Sequence, residues 1–112
     1  MQTIDYEDFD KIELRVGTVI KVEPFEKARK PAYKIWVDLG EEIGIKKSSA
    51  QVTHFYEPNE LKGKQVICVC NLKPRQIVDF MSEVLITGFE SSNGGIVLTS
   101  VERPVPNGAK LH

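Results

Sequence analysis

The chain is poor in the residues that build metal centres and reactive sites: 112 residues hold two cysteines and two histidines. Cys68 and Cys70 alternate with Ile67 and Val69. On a strand both side chains then stand roughly parallel on one face, a poor geometry for a disulfide. A structural zinc requires about four ligands, and His54 and His112 have no recognisable spacing to the thiols. The cysteines are therefore expected to be small core hydrophobes, with no metal and no cofactor. There is no Ser/His/Asp spacing and no Gly-rich phosphate loop, so enzymatic activity is not expected. No apolar run approaches the ~18 residues of a membrane-spanning helix, and the polar residues 1–10 do not read as a secretory signal. A cytoplasmic protein with no membrane partner is expected.

Carboxylates are missing from three long stretches, residues 27–37, 43–56 and 61–78. These hold ten of the fifteen Lys and Arg residues: Lys27, Arg29, Lys30, Lys34, Lys46, Lys47, Lys62, Lys64, Lys73 and Arg75. Residues 1–13 are the reverse, with Asp5, Glu7, Asp8, Asp10 and Glu13 against Lys11 alone. A net charge of −1 thus conceals segregation. If the stretches converge, local potential recruits an anionic partner that whole-molecule charge would not. Lys62 and Lys64 also read simply as loop lysines. Tyr33, Trp36, Phe55 and Tyr56 are interleaved with these cations, as stacking platforms beside a basic track would be. Trp36, between Ile35 and Val37, suits a core role at least as well, which leaves Tyr33 as the better stacking candidate.

The most informative segment is NLKPR at 71–75, followed by Ser82-Glu83. It comes directly after an alternating apolar run at 65–70, and Pro74 ends that strand and stiffens the turn carrying Lys73 and Arg75. Polar side chains on a stiff loop at strand ends are a common way for small β-barrels to build a binding surface.

Short strands separated by turn signals dominate the rest. Residues 14–22 alternate with period two, and Gly17 inside them suggests a bulge or sharp bend. A basic loop at 25–31 leads to strands predicted at 32–39 and 43–47, joined by a turn at 40–42. Ser48-Ser49 reads as the N-cap of a helix over 50–56, broken by Pro58-Asn59. Strands at 65–70, 84–88 and 96–99 follow, with a flexible turn at 91–95, and residues 6–11 suit a short acidic helical turn. The order strand, strand, strand, short helix, strand, strand predicts an all-β OB-fold, a five-stranded Greek-key barrel, rather than a seven-stranded sandwich. One domain is expected over residues 1–112, with the barrel at about 13–100 and extensions at 1–12 and 101–112. The second extension, with Val101, Val105 and Leu111, is too apolar for a free tail.

Taken together, the blocks LRVGTV at 14–19, ARKPAYK at 28–34, EIGIKKSSAQ at 42–51, NLKPRQI at 71–77, SEVL at 82–85 and VPNG at 105–108 resemble the CsaA family of small export-related chaperones. More broadly they are similar to the tRNA-binding domain appended to some methionyl- and phenylalanyl-tRNA synthetases. The appended domains have a Ser-Gly-Leu-like triplet where Ser48-Ser49-Ala50 stands here, and Ser-Glu-Gly-Met where this chain reads Ser82-Glu83-Val84-Leu85. Both departures follow the CsaA branch.

The resemblance implies an OB-fold homodimer formed through both termini. Its partners would be tRNA or other structured RNA, and unfolded or export-bound polypeptides. By the same likeness Lys46, Ser48, Asn71, Lys73, Arg75, Ser82 and Glu83 fall on an RNA-binding face, and Arg29, Lys30, Lys47 and Ser49 in the matching blocks join them. Phe80, Met81 and an exposed Phe25 are the candidates for apolar polypeptide contacts. The alternative is a tRNA-binding module alone, a cofactor of an aminoacyl-tRNA synthetase with no client proteins.

Overall fold

A computed structural model describes residues 1–112. In chain order the elements are α1 (Tyr6–Asp10), β1 (Leu14–Pro24), β2 (Tyr33–Asp38), α2 (Gly40–Ile43), β3 (Ile45–Ala50), α3 (Pro58–Leu61), β4 (Gln65–Val69), β5 (Arg75–Ile77), β6 (Phe80–Ser82), β7 (Leu85–Ile86), β8 (Gly88–Glu90) and β9 (Ile96–Leu98). Five strands form one antiparallel sheet in the order β3-β2-β1-β4-β7, which curls into the nearly closed barrel of an OB-fold. Two small hairpins, β5–β6 and β8–β9, are added to it.

Period-two burial drives the curl. On β2 the side chains of Tyr33, Ile35 and Val37 are buried, while Lys34, Trp36 and Asp38 alternate toward solvent. The inward residues pack with Val19, Leu39, Val52, Leu61, Val66, Cys68, Val84 and Ile86 in one core. Each fully buried aliphatic side chain contributes about 1.5–3 kcal/mol of transfer free energy. The bulge on β1 lies between Val19 and Lys21, not at Gly17: Val19 pairs with Val37 and Lys21 with Trp36, which leaves Ile20 as the extra residue. Gly17 serves a different need. A Cβ there would lie 2.7 Å from Leu39 Cδ2 and 2.9 Å from the Asp38 carbonyl oxygen, so its hydrogen lets the strands cross closely.

The predicted helix over 50–56 does not form. Ser48 and Ser49 continue β3, and the helix between the third and fourth strands is a single turn at Pro58–Leu61. Pro58 opens this helix rather than breaking one, because the first helical turn needs no N–H from it. The Glu57 N–H donates to Glu60 Oε1 at 3.1 Å, closing the cap. Local capping chemistry lost to a longer edge strand paired with β2 from Tyr33↔Ala50 to Asp38↔Ile45.

The C-terminal segment packs on its own barrel. β2 pairs with β1 only from Thr18 onward, so one edge of residues 14–17 is free. The tail occupies it: Val16 N–H donates to the Ala109 carbonyl (3.0 Å), Gly108 N–H to Val16 (2.7 Å) and Leu111 N–H to Leu14 (2.8 Å). The Gln65 amide clamps the backbone of Val105 from both sides, at 2.7 and 3.2 Å.

Candidate nucleic-acid interface

The charge segregation read from the sequence persists in the ion pairs. All five cations outside the three acid-free stretches have a carboxylate within 4.0 Å: Lys11 with Asp8, Arg15 with Glu13, Lys21 with Glu23, Arg103 with Glu102, and Lys110 with Asp10 and Glu13. Of the ten inside the stretches only Lys27 is paired, to Asp79 at 2.8 Å. Nine cations are therefore held with no internal counter-charge.

Arg29, Lys30 and Arg75 come together at the rim of a cleft of about 820 Å³. The cleft runs between the 25–31 loop, the end of β3 at Ser49, Ala50 and Gln51, the β5–β6 hairpin, and β7. Its walls include Ile77, Val78, Leu85 and Ile86, with Val78 and Leu85 about half exposed. Val78 turns the hairpin at φ 56°. A β-branched residue in the left-handed region is an outlier that costs on the order of 1–3 kcal/mol, and such strain concentrates at functional sites.

Beside the cleft, Lys34 Nζ lies 4.9 Å from the Phe25 ring centre and 5.3 Å from that of Phe80, and Lys47 Nζ lies 5.7 Å from Phe80. These two rings meet edge to face at 5.5 Å over Ala32, with Trp36 against Phe80. Phe25 and Phe80 are thus buried beneath a layer of ammonium groups, contrary to the expectation that they form an exposed apolar contact. Only Met81 of that trio is exposed. The aromatic assignment reverses as well. Tyr33 is a core residue whose hydroxyl donates to the Tyr56 carbonyl at 2.8 Å, and Trp36 is half-exposed under Lys21.

Several of the expected polar site residues hold the barrel together. Ser48 is only 1% exposed, so its hydroxyl does not reach the open face. Ser82 Oγ accepts from the Ser49 N–H at 3.1 Å, and Glu83 Oε1 accepts from the Lys47 N–H at 3.1 Å. Asn71 uses both ends of its amide on the N-terminal segment, accepting from the Glu13 N–H at 3.0 Å and donating to the Lys11 carbonyl at 2.7 Å. Lys46 and Lys47 are half-buried on β3, and Lys73 and Arg75 stand exposed at the β4–β5 turn. Lys62 and Lys64 flank a loop bonded to Val19 and take no part in the cleft.

Sequence reasoning missed the apolar cleft wall. Val78 carries no motif, Leu85 figures only as the end of the SEVL block, and the β5–β6 hairpin that presents Val78 is two three-residue strands, too short for periodicity to reveal. Cys68 is buried, and burial pushes its thiol up to about 12, while Cys70 is half-buried and also raised by burial; both are free thiols.

Residues 14–110 match the family described as "Putative tRNA binding domain". The chain is 42% identical over 110 residues to methionine–tRNA ligase 1 of Bacillus anthracis and 36% identical over 111 residues to methionine–tRNA ligase of Methanocaldococcus jannaschii. These matches cover 98% and 99% of this chain but 16% and 17% of the ligases, so the chain spans about a sixth of those relatives. Among solved structures, chaperone CsaA from Bacillus anthracis superposes with a TM-score of 0.93 at 40% identity, covering 99% of this chain and all of that one. The CsaA chaperone protein of Picrophilus torridus gives 0.92 at 42%, covering 98% of this chain and all of its own. By sequence across nearly its whole length and by fold, the chain belongs to the tRNA-binding-domain family and to its CsaA-like branch.

Proposed function

We propose that this protein is a non-enzymatic RNA-binding module for tRNA or other structured RNA, and that it also acts, as a homodimer, as a CsaA-like cytoplasmic chaperone in protein export. The observation that carries the RNA reading is the ion-pair asymmetry: every cation outside the acid-free stretches is paired, and nine of ten inside them are not. Cations kept without counter-charge raise the local potential and can neutralise phosphates. Arg29, Lys30 and Arg75 at the cleft, with Lys34, Lys46, Lys47 and Lys73 on β2, β3 and the β4–β5 turn, would hold the phosphate backbone.

The polypeptide reading rests on a different surface from the one the sequence suggests. With Phe25 and Phe80 buried, Leu72, Val78, Leu85 and Met81 are exposed apolar residues near the basic face. The dimer reading rests on the two chain ends, which Lys110 ties together through Asp10 and Glu13 while Ile4, Tyr6, Ile12 and Leu111 stay exposed beside that junction.

Titration of labelled tRNA across a salt series tests the RNA function. Binding is expected to weaken steeply with salt, and Lys73→Ala with Arg75→Ala to lower the slope by about 2, one for each lost phosphate contact. Salt-insensitive binding, or none at low salt, removes RNA. Parallel titration with an unfolded client and sedimentation at micromolar concentration test the chaperone and dimer readings. A client that does not bind, or a monomeric mass, removes the respective claim.

A further inference from the structure

We propose that the cleft is a single-nucleotide subsite: it receives one unstacked base of a bulged or looped RNA while Arg29, Lys30 and Arg75 hold the flanking phosphates. This rests on the RNA-binding reading and specifies which part of an RNA the protein selects.

The cleft lies where the barrel fails to close. The sheet order leaves β3 and β7 as its two edges, and β3 is latched to the segment leading into β7 through Glu83 on Lys47 and Ser82 on Ser49. Beyond Ser49 the seam opens into a cleft of about 820 Å³, within the range of small-ligand sites. A duplex cannot enter such a slot, whereas an extruded base can.

Its chemistry suits a nucleotide in three ways. The half-exposed Val78 and Leu85 offer apolar contact to a base. The Gln51 side-chain amide and the Ser49 hydroxyl line the same cleft without a hydrogen bond inside the chain. The amide presents both a donor and an acceptor, as a Watson–Crick edge requires. The rim carries two guanidinium forks matched to phosphate oxygens, with no carboxylate among the residues lining the cleft. A polypeptide backbone would leave these three cations unanswered, which is why RNA is the favoured occupant.

The test compares a short RNA duplex carrying one bulged 2-aminopurine with the same duplex fully paired, titrated against the full-length protein. The bulged RNA is expected to bind about tenfold tighter, the equivalent of about 1.4 kcal/mol, with a change in 2-aminopurine fluorescence. In Gln51→Trp, which fills the slot from an exposed position, the preference is expected to fall to about twofold or less. Leu85→Gln, also at an exposed position, provides a second variant should the first fail to fold. Equal affinity for the two RNAs in the wild type overturns the subsite but leaves the RNA-binding reading standing, and so does a preference that survives both substitutions. Loss of unfolded-peptide binding in both variants with the RNA preference intact assigns the cleft to polypeptide and also overturns it. No binding of either RNA overturns both readings.

Discussion

Glu83 and Lys47 hold each other's backbone: the Lys47 N–H donates to Glu83 Oε1 at 3.1 Å, and the Glu83 N–H donates to the Lys47 carbonyl at 2.8 Å. The carboxylate stands in for the next strand that β3 lacks at this point, so the barrel is stitched where regular pairing stops. Glu83→Ala leaves a part-buried N–H without its acceptor and is expected to cost about 1–3 kcal/mol, whereas Glu83→Gln keeps an acceptor oxygen and costs less. Denaturant unfolding of the two variants decides this. A stable Glu83→Ala variant with altered RNA discrimination would instead make Glu83 a contact residue.

Asn71 is the corresponding clasp at the N-terminus, with both ends of its amide on residues 11 and 13. Asn71→Ala is expected to free residues 1–13 while costing the barrel only about 1 kcal/mol, because these bonds are exposed to water. Faster trypsin cleavage after Lys11 with a near-normal unfolding midpoint is the expected result. An unchanged cleavage rate would show that the segment is held elsewhere.

The strained turn at Val78 gives a prediction of opposite sign. Asn adopts the left-handed conformation readily, so Val78→Asn is expected to stabilise the protein by about 1 kcal/mol, since the half-exposed valine loses little packing. A lower thermal midpoint in this variant would mean that the valine side chain contributes more to packing than its exposure suggests.

The docked tail should loosen in acid. The Arg15 guanidinium, and after it Lys110, hold the Glu13 carboxyl below its ordinary value. A carboxylate lowered in the folded state contributes stability that is present above its unfolded pKa and is lost as pH falls through the folded one. Amide protection at Gly108, Ala109 and Leu111 is therefore expected to drop as the pH falls below the ordinary glutamate range, and Glu13→Gln to weaken that dependence. Protection that stays flat from pH 6 to 3 in the native protein would exclude the link.

Both thiols are predicted to be unreactive in the native state, because the thiolate is the reactive form and burial disfavours it at Cys68 and Cys70 alike. Thiol titration at pH 8 is expected to label neither residue readily until denaturant is added. Fast native labelling would mean the end of β4 opens.

Alternation of apolar and polar residues was enough to find the strands of the barrel sheet, because a half-buried strand must repeat with period two whatever surrounds it. The distribution of Lys, Arg, Asp and Glu likewise foretold which cations would lack counter-charges. The order of elements, with a short helix before the fourth long strand, predicted the barrel. Three matters depended on distant parts of the chain. Ser48-Ser49 could cap a helix or extend a strand, and pairing with β2 made it a strand. Asn71, Ser82 and Glu83 look like ligand-binding groups in a linear reading. Their hydrogen bonds go instead to Lys11 and Glu13, Ser49, and Lys47, residues 33 to 60 positions away. Phe25 and Phe80 are ordinary loop and strand residues until the fold buries one ring against the other. Periodicity and composition are local properties that the sequence carries by itself. Which polar group meets a backbone N–H, and which aromatic ring meets another, is decided only when the barrel closes and brings its edges together.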